Sequence, residues 1–302
     1  MPTVHERVLV FANPIAGRGK GKAIAQRLGD RLARDGFDAQ PVFERADRIS
    51  DDRLPDGVRA AIAIGGDGTV RGVARRLHAR YGKHTPPLLV VPMGTANLLG
   101  RHLGTVWPDR ELATRVSDAI GAMRTVKLDA ASANDELFLL MAGIGLDAKI
   151  VHELDRLRSG PIDLTSYALP AALALGFYTY PALTVSVDGK TLCRDLPSVA
   201  FVGNVKEYGT GFPILPHARP DDGLLDVCVL PCANRIEALH QFMRAASGEH
   251  TVGEGSIYAK GKRVKVESPE KVPVQIDGEA AGHTPLTCEL LPVRLPFIVP
   301  AE

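Results

Sequence analysis

At 302 residues the chain is longer than one hydrophobic core usually grows, so two domains are expected. Its 36 Lys and Arg against 35 Asp and Glu leave a formal charge of +1, which excludes the global basic field of a nucleic-acid binder. The most apolar stretch, Ala168 to Tyr180, contains Pro170 and stops at Pro181, too short for a transmembrane helix.

From Arg7 to about Lys127, short apolar runs alternate with amphipathic segments, the signature of a parallel sheet covered by helices. Val8 to Ala12 reads as a first strand, Ile24 to Arg34 as a helix, Ala39 to Phe43 as a second strand, Ala60 to Ile64 as a third and Leu88 to Val91 as a fourth. After Asp129 the texture changes. Helical stretches over Leu146 to Arg158, Leu164 to Tyr180 and Asn234 to Ala246 lie among alternating strands at Leu183 to Val187, Ser198 to Val202, Leu225 to Leu230, Arg263 to Glu267 and Val272 to Ile276. The fold class expected is therefore an α/β domain over residues 1–128, with a parallel sheet and flanking helices, followed by a β-rich, sandwich-like domain over 129–293. The tail 294–302 is expected to return to the first domain, and the cleft to lie between the two.

Strands one, three and four each end in a polar or glycine-containing turn, and ligands in open α/β sheets sit beyond the carboxyl ends of strands. The central turn, Gly65-Gly66-Asp67-Gly68-Thr69-Val70, carries most of the chemistry. Exposed amides at such a helix start attract anions, glycines let a phosphate approach, and Asp67 offers a hard oxygen to magnesium on a nucleotide. The plain alternative is a tight strand-to-helix turn with an Asp cap. Basic residues gather nearby, with Arg18, Lys20, Lys22, Arg27, Arg31 and Arg34 around the first turn and Arg71, Arg75, Arg76 and Arg80 after the second; they suit phosphates or an anionic membrane, or form a solvated helix face. The first turn is not a Walker loop, because it lacks the Gly-Lys-Ser/Thr ending.

The opening MPTVHERVLVFANP shows no signal core or cleavage site, so secretion is not expected. Cysteines 193, 228, 232 and 288 lack metal-type spacing and read as reduced, buried side chains of a cytoplasmic protein.

With Asn13-Pro14 after strand one, Gly65 to Thr69 after strand three, and Pro92-Met93-Gly94-Thr95-Ala96-Asn97 after strand four, the chain resembles the diacylglycerol and sphingosine kinase superfamily, specifically its bacterial lipid kinases. The resemblance continues through Ala142 to Asp147, Pro216 to Asp226, Gly248 to Thr251 and Ile276 to Glu279. It implies an ATP-binding first domain, a lipid-binding second domain and ATP-dependent phosphorylation of a lipid hydroxyl, with Mg2+ as companion ion. By resemblance, Asn13, Pro14, Ile15, Ala16, Gly17 and Arg18 form the first nucleotide segment, Gly65 through Arg71 the central loop, and Thr95 and Asn97 the third. Relatives often carry an acidic residue after that asparagine, joining a water-mediated magnesium network. Here that position is Leu98, leaving Asp67 and Asp129, and Glu44 stands where relatives often have a threonine near the nucleotide.

Asp277-Gly278-Glu279 resembles the turn whose Glu accepts the hydroxyl proton in bacterial diacylglycerol kinases; beside lipid and Asp277 such a carboxylate gains proton affinity. Read alone, Asp-Gly between alternating strands is a hairpin signal, and both readings hold if the hairpin presents Glu279. Asp67 is the competing base. Asp222, with the carbonyls of Arg219 and Leu224, matches a structural magnesium loop, while the residues alone read as a turn. Asp147 matches an acidic position near the lipid head group, or caps the helix that follows. Tyr167, Leu169, Leu173, Leu175 and Phe177 read as core or as an acyl-chain slot, and His217, His250 and His283 are given no chemistry.

The reading is a cytoplasmic lipid kinase, peripheral at the inner membrane surface, most readily acting on diacylglycerol, with a homodimer left open. Its rivals are a sphingosine-type or other lipid kinase, an NAD kinase sharing the Gly-Gly-Asp-Gly turn, and a nucleotide sensor without turnover.

Overall fold

The computed structural model describes residues 6–13, 19–156, 178–209 and 211–300. The turn Pro14 to Arg18, and all but the last three residues of the helix expected over Leu164 to Tyr180, lie outside the described residues. Two compact units make up the chain: Met1–Leu128 with Val293–Glu302, and Asp129–Pro292.

In the first unit, β1 (Arg7–Ala12) leads through α1 (Gly21–Arg34) to β2 (Asp38–Val42), then β3 (Val58–Gly65), α2 (Asp67–Tyr81), β4 (Leu88–Pro92), α3 (Leu98–His102), α4 (Leu112–Ala122) and β5 (Thr125–Leu128). The runs in β1, β3 and β4 are continuously apolar because helices cover both faces of the sheet. Helix α1 buries Ala25, Leu28 and Leu32, and α4 buries Leu112, Val116, Ala119 and Ile120; both stripes join Val8, Val10, Ile62, Ile64, Leu89 and Val91 in one core. That α4 spacing fits a helical face, although no helix was expected there.

The second unit carries β6 (Ala131–Ala133), β7 (Glu136–Phe138), β8 (Met141–Ile144), α5 (Leu146–Arg156), β9 (Ala182–Val187), β10 (Lys190–Gly203), β11 (Leu225–Pro231), α6 (Arg235–Ala246), β12 (Ile257–Gly261), β13 (Arg263–Glu267), β14 (Pro273–Ile276), β15 (Glu279–His283) and β16 (Leu286–Leu290). The eleven strands belong to one antiparallel sheet that curls on itself. The bend lies in β10. Its first half pairs with β9, in a ladder interrupted by register shifts at Thr191/Cys193 and Cys193/Leu196, and its second half pairs with β8 and β11. Leu183, Val185, Val264 and Val266 thereby meet Val202, Val227, Val274 and Ile276 in a single core.

The chain closes with β17 (Leu295–Ile298), which inserts between β4 and β5 in the first sheet, giving the order β2-β1-β3-β4-β17-β5. Pairing is parallel from β2 through to β17 and antiparallel only between β17 and β5.

Candidate functional site

The turns after β1, β3 and β4 leave from neighbouring strand ends. Asn13 N–H donates to the Ile64 carbonyl at 3.2 Å and Met93 N–H to the Gly65 carbonyl at 2.8 Å, so the ladder continues one residue into each turn. Gly66 caps α2 with φ −87° and ψ −177°, ordinary extended backbone, so no left-handed conformation demands glycine there. Proximity favours it instead. A Cβ on Gly66 would stand 3.2 Å from the Gly94 Cα, and one on Gly94 would stand 2.7 Å from the Gly66 Cα. The two glycine turns touch backbone to backbone at the start of α2, the kind of helix end that favours an anion. The Cβ of Gly66 therefore matters through Gly94 rather than through direct intrusion on a phosphate. Asn13 Nδ2 reaches to 3.5 Å from Thr69 Oγ1, linking the first turn to the helix start. Val70 is buried in the core, so only its backbone can face a ligand, while Gly68 and Arg71 are half-buried and Thr95 is exposed.

Asp67 sits at the first position of α2 and caps a different helix. Its Oδ2 accepts the Leu98 N–H at 3.0 Å and its Oδ1 the Leu99 N–H at 3.1 Å, holding α3 against the hinge. Burial pushes its carboxyl up, opposed by these and other backbone amides. Leu98, the departure from the relatives' acidic residue, thus contributes its amide to Asp67. Asn97 adopts the left-handed conformation (φ 48°, ψ 45°), and its amide group bridges Gly94, accepting from its N–H at 2.8 Å and donating to its carbonyl at 2.6 Å. Its side chain therefore shapes the third turn. Glu44 is half-exposed and pairs with Arg53 at 3.5 Å, which offsets the charge expected to repel phosphate. Several expected phosphate cations serve the scaffold: Arg31 pairs with Asp35, Arg76 with Asp51 and Arg80 with Asp56.

In the second unit, the hairpin between β14 and β15 turns on Asp277 (φ 49°) and Gly278 (φ 81°), both left-handed, as the Asp-Gly signal requires. Glu279 is exposed at the start of β15. Asp277, expected beside it as a catalytic partner, is turned to the backbone: its carboxylate accepts the amides of Leu139, Leu140 and Met141 at 2.9–3.0 Å. It clamps the hairpin to the β7–β8 connection. Gln275, which the sequence reading passed over, accepts the Gly278 N–H at 2.8 Å and donates to Asp147 Oδ2 at 3.2 Å, fastening the hairpin turn to α5.

Asp129 and the 219–224 loop come together. Asp129 Oδ2 accepts the Gly223 N–H at 2.7 Å, and its own N–H donates to the Pro220 carbonyl at 2.6 Å. Asp222 Oδ1 accepts the Leu224 N–H at 3.1 Å and its Oδ2 lies 3.1 Å from Lys260 Nζ. Among the described residues no group of three or more His, Cys, Asp or Glu could hold a metal. With an ammonium already on the Asp222 carboxylate, this donor set does not fit a loop magnesium.

Residues 7–132 match the diacylglycerol kinase catalytic domain, and residues 141–299 match the YegS C-terminal NAD kinase beta sandwich-like domain. The chain belongs to the diacylglycerol kinase-like lipid kinase family. It is similar to the diacylglycerol kinase of Staphylococcus carnosus, 26% identical over 290 residues covering 93% of this chain and 91% of that one. It resembles that of Bacillus subtilis at 27% identity, covering 93% and 92%. A crystal structure described as a diacylglycerol kinase from Bacillus anthracis superposes with a TM-score of 0.73 at 27% identity, over 97% of each chain.

Within this lipid kinase, Asp147 is the most perturbed carboxylate of the second unit. It is buried in the first turn of α5, its Oδ1 has no hydrogen-bond partner, and burial pushes it up to about 7 against the pull of the Ala148 amide and Gln275. A Cβ on Gly143 would collide with its Oδ2, so the glycine before it exists to admit this carboxylate. An acid whose folded pKa is raised binds its proton more tightly when folded, so stability falls as pH climbs from about 4 to about 7 and stays low above. Asp147→Asn is accordingly expected to add up to about 4 kcal/mol at pH 8 and nothing below pH 4, measured by denaturant melts across that range. A group kept at such a cost points to use.

Proposed function

We propose that this lipid kinase transfers the γ-phosphate of MgATP to the hydroxyl of diacylglycerol. The observation that supports the nucleotide half is the close approach of Gly66 to Gly94, which brings two glycine turns together at adjacent strand ends beside the start of α2. Phosphoryl transfer needs a cradle, countercharge and a proton acceptor for the attacking hydroxyl. The cradle is the amide group of the hinge, with Asn13, Thr69 and Thr95 beside it, and magnesium enters as part of the substrate MgATP. Asp67 acts by holding α3 and the third turn in register. In the second unit, Glu279 is the base for the lipid hydroxyl, Asp277 and Gln275 fix its turn, and Asp147 accepts a hydroxyl of the lipid head group through its unpartnered Oδ1.

The test is incubation of the pure protein with labelled ATP and separate panels of diacylglycerol, sphingosine and NAD, followed by extraction. Label in phosphatidic acid supports the reading; label in a sphingoid phosphate or NADP moves the acceptor; binding of ATP with no labelled product would make the protein a sensor.

A lipid acceptor places the enzyme at a bilayer, which we assign to the cytoplasmic face of the membrane. Among the described residues no helix is long and apolar enough to cross. Attachment at the surface is supported by α6, where Ile236, Leu239 and Met243, with Val252 beyond the helix, are 54–75% exposed while Ala238, Gln241 and Ala245 are buried beneath. Leu239→Glu with Met243→Glu is expected to lower co-sedimentation with diacylglycerol-containing vesicles at least about tenfold, since each apolar side chain buried is worth ~1.5–3 kcal/mol. ATP binding should not change.

A further inference from the structure

Asp226 is an anomaly in its strand. It lies in the apolar run of β11 with a fully buried side chain, where an ionised carboxylate is tolerated only with partners. Two side chains of β12 supply them. Tyr258 donates its hydroxyl to Asp226 Oδ1 at 2.5 Å, and Lys260, directly opposite in the ladder, places Nζ 3.1 Å from Oδ2. The same Nζ donates to the His217 carbonyl at 2.8 Å and to Asp222 Oδ2 at 3.1 Å. The ammonium thus donates two hydrogen bonds, to the His217 carbonyl and Asp222, and meets Asp226 Oδ2 as an ion pair without hydrogen-bond geometry.

We propose that Lys260 is a built-in cation that organises the 217–226 loop in place of a divalent metal, so that the second unit of this lipid kinase folds without magnesium. The oxygens around Nζ, two carboxylate and one carbonyl, are the type a hard cation takes. A magnesium ion ~2.1 Å from Asp222 Oδ2 would stand within about 5 Å of the ammonium, where like charges repel. Around the ammonium the loop closes on itself: Asp222 Oδ1 receives Leu224 N–H, and Asp129 receives Gly223 N–H. This charge arrangement is independent of the ATP reading, because it concerns no residue of the hinge.

The experiment is thermal melting of the full-length protein without nucleotide, in EDTA and in magnesium chloride. The parent should melt at the same temperature in both, as should Asp222→Asn when its own two conditions are compared. Lys260→Met should melt at least about 5 °C lower in EDTA, because two carboxylates then face each other, and should gain a magnesium-dependent rise that an added Asp222→Asn removes. A parent stabilised by magnesium in an Asp222-dependent way overturns the proposal. So does a Lys260→Met that melts with the parent, or one whose fall magnesium does not reverse. If Lys260→Met fails to fold, the parent and Asp222→Asn measurements still decide it.

Discussion

Replacing Gly66 by aspartate should abolish lipid phosphorylation while leaving the melting temperature close to that of the parent. The backbone at Gly66 is one any residue adopts, and Asp is a favoured helix N-cap, so α2 itself is not harmed. What changes is the anion site. The new carboxylate accepts the amides that a phosphate would use, and its Cβ presses on Gly94 across a gap of 3.2 Å. Lost oxyanion-type donors cost about 100-fold or more, so transfer of labelled phosphate should fall below roughly 1% of the parent rate, and ATP should no longer raise the melting temperature. Gly66→Ala, with the Cβ but without the charge, should fall between. Parent-level activity in Gly66→Asp would mean that the phosphates sit elsewhere.

The hinge shows how far the sequence carries such an argument. A short apolar strand, three glycines and a helical stripe make the strand-to-helix turn legible, because each signal is local. The reason for the glycine is not local, since Gly66 and Gly94 belong to different turns. The same division runs through the second unit. The left-handed pair Asp277 and Gly278 follows from the dipeptide alone, yet the destination of the Asp277 carboxylate, on amides 136–138 residues earlier, does not. Strand β10 was visible only over its apolar second half, because the first half, Lys190 to Pro197, is exposed or half-buried and lacks alternation. Lys260 left one readable trace: a charged residue inside the apolar run Leu225 to Pro231 announces a partner, though not which one.

The last prediction separates the two candidate bases. Glu279→Gln keeps size and hydrogen-bonding reach but cannot accept a proton, so the single-turnover rate should fall by about 100-fold or more with ATP affinity unchanged. Asp67→Asn should behave differently for a structural reason. The carboxylate offers one acceptor oxygen to each of the Leu98 and Leu99 amides, whereas an asparagine offers one oxygen and an NH2 that faces a donor. One amide of α3 loses its partner, the third turn loosens against the hinge, and ATP affinity and turnover should decline together. Measuring nucleotide affinity and single-turnover rate for both variants distinguishes the roles. Undiminished turnover in Glu279→Gln, or a pure rate defect in Asp67→Asn with intact ATP binding, would transfer the proton acceptor from the β14–β15 hairpin to the glycine hinge.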